Sequence, residues 1–310
     1  MTPLAEDVLA GRPRAIARAI SLVENAGTAL RELIAALGTR QPYRARVVGL
    51  TGSPGVGKST STGTLIEAAR KRGEKVGVLA VDPSSPFTGG ALLGDRVRMQ
   101  EHATDSGVFI RSMATRGHLG GLSWAVPQAI RVLDAAGYDL ILVETVGVGQ
   151  AEVDIASLAD STIVLLSPGM GDGVQAAKAG ILEIADVFVV NKADREGAQA
   201  TIRDLRNMIA LSGAEWRPPI VPTVAVRGEG VDDVVAALDA HAAYLEESGQ
   251  GRVRRLARAR DEIEAIVLAE LRARIDGSIH GDRRLDVLAE RALAGETDPY
   301  TAADELIGSL

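Results

Sequence analysis

The sequence predicts an α/β fold: a mostly parallel β-sheet covered by helices on both faces, with helical extensions at the N- and C-terminal ends. Short β-rich runs alternate with helical patterns from about residue 46 to 246, the signature of βαβ units. Those runs are apolar almost throughout, as strands covered on both faces are. A glycine-rich stretch, GLTGSPGVGKST, links the first run to the first helix of the series, the context of the phosphate-binding loop of a P-loop NTPase.

Before the sheet, Ile16, Ala19, Ile20 and Val23, then Ala29, Leu30, Leu33, Ile34 and Leu37, recur at spacings of three and four. They predict two amphipathic helices broken near Gly27 and closed by Gly38 and Pro42. The strands follow as RVVGL (46–50), KVGVLAV (75–81), VFIRS (108–112), DLILVE (139–144), STIVLL (161–166), VFVVN (187–191) and PIVPTVA (219–225). Helical patterns lie at 58–71, 123–136, 196–211 and 231–246. After Gly249 and Gly251 the chain turns helical and charged, with Val253, Leu256, Ile263, Ile266, Val267, Leu271 and Ile275 roughly on one stripe. Two shorter helices are expected at about 282–294 and 299–308. The expected division is an N-terminal helical segment (1–42), a P-loop domain (43–248) and a C-terminal helical segment (249–310).

A chain of 310 residues, 46% hydrophobic, can bury a sizeable core. Its 34 Lys+Arg against 41 Asp+Glu leave a net charge of −7, which gives no global attraction to nucleic acid or anionic membrane. The absence of cysteine excludes a disulfide scaffold and thiol chemistry, and fits a cytoplasmic location. The N-terminus mixes charges into its apolar residues, unlike a secretory signal. No run reaches 18 uninterrupted apolar residues, so membrane insertion is not expected.

The first motif is Gly52-x-x-x-x-Gly57-Lys58-Ser59. Backbone N–H groups of Gly52, Ser53, Pro54's neighbours, Gly55, Val56 and Gly57 can close around phosphate oxygens at a helix N-terminus. Lys58 brings a positive charge to the terminal phosphates, Ser59 a magnesium ligand, and Thr60 completes the stretch. The second motif is Asn191-Lys192-Ala193-Asp194, at a strand end about 130 residues later. The Asp194 carboxylate can accept from the two N–H groups on one edge of guanine, which adenine lacks. Lys192 can lay its stem over the base, and a backbone N–H near Ala225 can reach the guanine O6. Three acids are candidates for a magnesium ion beside Ser59, some through water. Asp82 ends a strand, Asp95 lies in LLGDRVRM, and Glu144 ends the strand of LILVETVGVGQ where many nucleotide hydrolases carry Asp. The plainer alternatives are a turn cap for Asp82, a helix cap for Asp95 and a strand-end salt bridge for Glu144. GTP or GDP with Mg²⁺ is therefore the expected ligand.

Together, GSPGVGKST, VDPSSPFTGGALLGDRVRM, RSMATRGHLGGL, ETVGVGQ, NKAD and RGEGVDDV resemble the methylmalonyl-CoA mutase-associated GTPases of the MeaB/ArgK type, across most of residues 46–235. The family is related to the signal-recognition and nickel-insertion GTPases. The resemblance implies a GTPase that binds an adenosylcobalamin-dependent acyl-CoA mutase, gates cofactor delivery and protects the mutase. It also implies a homodimer held partly by C-terminal helices. One departure is Val224-Ala225, where the family often has Ser-Ala before GEG; a serine side-chain contact to the base is lost here. Arg98, Gln150, Asp172, Gln175 and Lys178 resemble switch or partner residues in three loops (82–98, 145–151 and 167–180). Val148 follows Gly147 where Ras-like GTPases place a water-orienting Gln, so intrinsic hydrolysis is expected to be slow. Arg111 and Arg116 are further candidates to approach phosphate or a partner, and His118 is not assigned catalysis. Two other readings compete: a kinase of a Lys/Arg/ornithine transport system, disfavoured by the guanine-reading NKAD, and a nickel chaperone, disfavoured by no Cys and four His.

Overall fold

The computed structural model describes residues 2–25, 28–38, 44–83, 102, 104–115, 125–145, 151–169, 181–279 and 283–308. Seven strands form a single sheet in the order β3-β2-β4-β1-β5-β6-β7, and every ladder is parallel. They are β1 (Arg46–Thr51), β2 (Val76–Pro83), β3 (Val108–Thr115), β4 (Leu140–Thr145), β5 (Ser161–Leu166), β6 (Val187–Asn191) and β7 (Ile220–Thr223). All seven expected strands are present. β1 lies at the centre, and the strand order departs from it in both directions, so the crevice beyond its carboxyl end is where such sheets bind ligands.

Among the described residues the helices are α1 (Pro3–Leu9), α2 (Pro13–Asn25), α3 (Thr28–Gly38), α4 (Lys58–Lys71), α5 (Ala125–Ala135), α6 (Ala151–Leu158), α7 (Ile181–Ile184), α8 (Ala198–Leu211), α9 (Val231–Glu247), α10 (Gln250–Ile279), α11 (Arg283–Leu293) and α12 (Pro299–Ile307). Neighbouring strand residues point to opposite faces, and this builds two cores. Val47, Leu79, Ile141 and Val143 pack with Ile16, Ile20 and Val23 of α2 and with Leu133 of α5. Val48, Leu50, Val78, Leu142 and Leu165 pack with Leu65 and Ile66 of α4 and with Val234 and Leu238 of α9. A smaller cluster sets Val164, Phe188 and Val190 against Ile202 and Leu205 of α8.

The described residues of the N-terminal segment form three helices rather than the expected two. The added α1 is short, and Thr2 caps it by accepting from the Ala5 amide, with proline in its first turn. At the other edge of the sheet, β7 stops at Thr223, short of the expected 225. Pro222, which lacks a ladder donor, is tolerated there because β7 is an edge strand. The chain then turns through a Val224–Glu229 bridge and a 3₁₀ turn at Ala225–Arg227.

The chain groups into two compact units, Met1–Arg258 and Ala259–Leu310. The N-terminal helices belong to the same unit as the sheet. In the first unit, buried Asp160 and Asp186 sit at strand starts. Asp160 accepts from the Val47 amide at 3.0 Å and Asp186 from the Thr162 amide at 2.8 Å. Arg258 and Arg254, from the first turns of α10, pair with these carboxylates at 3.0 and 2.9 Å. The second unit has its own small core of Leu288, Ala302 and Leu306. No helix among the described residues is long and apolar enough to cross a membrane.

Candidate nucleotide-binding site

β1 delivers residues 52–57 to the carboxyl end of the sheet, and α4 begins at Lys58. Two glycines are dictated by close approach. Gly57 has φ +100°, and a Cβ there would lie 2.3 Å from Asn191 Nδ2. Gly52 has φ +141°, and a Cβ would meet the Leu165 carbonyl oxygen at 2.3 Å. Neither the dihedral nor the space admits another residue. Val56 is buried, while Pro54, Gly55 and Thr60 are exposed. Lys58 is buried, and its Nζ donates to the carbonyls of Gly52 (2.6 Å) and Ser53 (3.1 Å). The ammonium is thus fixed across the loop that begins α4, where the helix N-terminus also favours an anion.

Glu144 ends β4, in register with Leu50 of β1 and Ala80 of β2. Its carboxylate is buried and held by two hydroxyls from α4: Ser59 Oγ donates to Oε1 at 2.7 Å and Thr62 Oγ1 to Oε2 at 2.8 Å. The sequence motif pointed to Ser59 and Glu144 separately; the structure joins them. Thr62 was missed, and its signal is its place three residues after Ser59, on the same helical face. Asp82 lies two residues beyond Ala80 on β2, its backbone in register with Ala114; its side chain lies outside the described part.

A hard cation such as Mg²⁺ takes oxygen donors, keeps several waters and uses one or two protein ligands. A serine hydroxyl hydrogen-bonded to a buried carboxylate fits that pattern.

The second motif docks on the first. Asn191, buried at the end of β6, donates from Nδ2 to the Val56 carbonyl at 2.8 Å. Its Oδ1 accepts from the Ala225 amide (3.0 Å) and the Thr223 hydroxyl (3.3 Å). Lys192 has a left-handed φ of 57°, uncommon outside glycine, and its Nζ donates to the Gly55 carbonyl at 2.6 Å. Asp194 is exposed and lies 3.3 Å from Arg227. The Ala225 N–H, expected near the guanine O6, donates to Asn191 Oδ1. Val224 and Ala225 therefore brace the loop, and the apolar pair suits that buried position.

Arg111 pairs with Glu24 and hydrogen-bonds Ser21 at 3.0 Å, both on α2. Asp95, Arg98, Arg116, His118, Val148, Gln150, Asp172, Gln175 and Lys178 lie outside the described residues.

Comparison with known proteins places this geometry in a family. A family model described as methylmalonyl-CoA mutase-associated GTPase MeaB matches residues 16–280. A putative GTPase of Pyrococcus abyssi (strain GE5 / Orsay) is 49% identical, the match covering 98% of this chain and 95% of the relative. The GTPase ArgK of Escherichia coli (strain K12) is 36% identical over 77% of this chain and 75% of its own length. A crystal structure described as LAO/AO transport system kinase aligns with a TM-score of 0.71 at 25% identity, covering 98% of this chain and 95% of that one. A phosphate loop locked to a guanine-type loop, on a parallel sheet of this order, and a family match over most of the chain lead to one assignment: the chain belongs to the methylmalonyl-CoA mutase-associated GTPase (MeaB) family.

Proposed function

We propose that this chain binds GTP and GDP with Mg²⁺ and hydrolyses GTP slowly on its own. It acts as a homodimeric, cytoplasmic chaperone of an adenosylcobalamin-dependent acyl-CoA mutase, with methylmalonyl-CoA mutase as the partner the family description favours. In that role it gates delivery of the cofactor and protects the mutase. The observation that carries the nucleotide reading is Asn191. One buried amide bonds the phosphate loop at Val56 and the base-side loop at Ala225, so the two halves of a guanine-nucleotide cradle are one rigid piece.

Within that reading the phosphate loop amides and Lys58 hold the phosphates. Lys58 places its charge where negative charge grows as the terminal phosphoryl leaves. Ser59 and Glu144, joined by Asp82 or Asp95, would hold Mg²⁺, directly or through water, and the ion would add positive charge at the phosphate oxygens. Asp194 accepts from the guanine edge, and Lys192 covers the base. Val148 has no group to orient a water, which supports slow basal turnover and acceleration by a bound partner.

The test is phosphate release from GTP and from ATP, with and without the mutase of the source cell. GTP preference and faster turnover with mutase are expected. Equal rates with and without mutase would sink the partner-gated part, and ATP preference the guanine part. Transfer of label from nucleotide to a transport protein would favour the kinase reading, which the likeness to the transport-system kinase structure brings in.

A further inference from the structure

A glutamate side chain has one more rotatable bond than aspartate, so its carboxylate needs an external hold to meet an ion in one orientation. In this chain the hold is divided between the two oxygens of Glu144. Ser59 Oγ donates to Oε1 at 2.7 Å, and Thr62 Oγ1 donates to Oε2 at 2.8 Å. Thr62 is fully buried and Glu144 is 4% exposed, so the contact is shielded from water and strong for its type. Thr62 Oγ1 also lies 3.1 Å from the Lys58 carbonyl, the acceptor that helical threonines commonly use. A hydroxyl has one proton, and the shorter contact to the charged oxygen takes it. A threonine that merely filled the core would be satisfied within its own helix. This one reaches across to β4.

We propose that Thr62 is a positioning residue of the Mg²⁺ site. By fixing Oε2 it sets the plane of the Glu144 carboxylate and presents Oε1 beside Ser59, offsetting the freedom of the longer acid. The inference rests on the Mg²⁺-nucleotide reading above and deepens it. Thr62→Val keeps the shape and removes the donor, which leaves the buried carboxylate one hydrogen bond fewer.

The experiment measures Mn²⁺, as a spectroscopic substitute for Mg²⁺, binding to the GDP complex by electron paramagnetic resonance. GDP affinity in EDTA is measured alongside it. Thr62→Val is expected to weaken Mn²⁺ binding by about ten- to a hundredfold, the usual effect of losing a group that orients a metal ligand. GDP affinity in EDTA stays at the wild-type level. Thr62→Ser restores most of the Mn²⁺ affinity. Thr64→Val, whose hydroxyl donates to the Ser61 carbonyl at 2.9 Å, behaves as wild type. Thr62→Ala removes the donor without needing room and gives the same readout if the valine variant does not fold. Wild-type Mn²⁺ affinity in the donor-less variants overturns the proposal, as does an equal loss of GDP binding with and without metal. A wild-type protein that binds Mn²⁺ no better with GDP than without it overturns the underlying nucleotide reading instead.

Discussion

At the scale of the residue, Gly57 and Asn191 are a closely fitted pair in the site. Replacing Gly57 with alanine puts a methyl 2.3 Å from Asn191 Nδ2 at a backbone φ of +100°. The strain alone is expected to cost about 1–3 kcal/mol of stability. The displaced Asn191 would also release Val56 and Ala225. Gly57→Ala should therefore lower the melting temperature and weaken GDP binding by about tenfold or more, the equivalent of 1.4 kcal/mol. Calorimetry and a fluorescent GDP titration check both. Unchanged GDP affinity would mean that the Asn191 link does not shape the cradle. The glycines, Lys58, Ser59 and Asp194 were legible in the sequence because each belongs to a short motif with its own chemistry. The Asn191 bond to Val56 was not, because its partners are separated by 135 positions and meet only when β1 and β6 enter the same sheet. Thr62 escaped for a related reason: a threonine inside a helix carries no motif until β4 sets a carboxylate opposite it.

At the scale of the element, the strands were legible because each is a run of apolar residues too short for a helix and too apolar for a surface. The same signal misled at the end of β7, where VAV continues the apolar run past Thr223. Val224 and Ala225 are buried, but they enter a bridge and a 3₁₀ turn rather than the β6 ladder, and Val226 beyond them is 81% exposed. α1 was overlooked because its seven residues bury only Ala5 and Val8, too few to show a period. The start of α10 raises a different question, that of how a charged helix is fastened to the sheet. Asp186 accepts from the Thr162 amide and from Arg254, and lies 3.2 Å from His241 Nε2. Burial raises the pKa of this carboxyl, but the contacts with His241 and Arg254 outweigh it and hold the group below the ordinary aspartate value. A depressed carboxyl pKa contributes stability that is present above the unfolded value of about 3.9 and is lost as pH falls through the lower folded value. Asp186→Ala is expected to destabilise the protein by about 3–4 kcal/mol near neutral pH. That is the lower part of the range for breaking a buried pair, because Arg254 remains partly exposed. The gap from wild type should narrow below about pH 4. Urea midpoints from pH 3 to 7 measure this, and a gap independent of pH would assign the loss to packing rather than to the carboxylate.

At the scale of the whole molecule, the sheet and nucleotide cradle explain the first unit, while α10 carries apolar surface that the chain leaves in water. Ile263 is 63% exposed, Leu256 50%, Val267 49% and Leu271 47%. Single exposed apolar residues need no explanation, but a stripe at helical spacing marks a contact surface. A second copy of the chain is the partner that the homodimer reading assigns to it. A two-fold interface uses the same patch on both subunits, so one substitution acts twice. Burying an aliphatic side chain of this size is worth about 1.5–3 kcal/mol, and placing a carboxylate there opposes burial further. Ile263→Asp is therefore expected to shift the protein from dimer to single chain at micromolar concentration, as read by light scattering and sedimentation equilibrium. Its preference for GTP over ATP should be unchanged, because Asn191, Lys192 and Asp194 belong to the first unit. A wild-type protein that sediments as a single chain at every concentration would remove the dimer from the proposed function. A dimer untouched by the aspartate would move the interface away from this stripe.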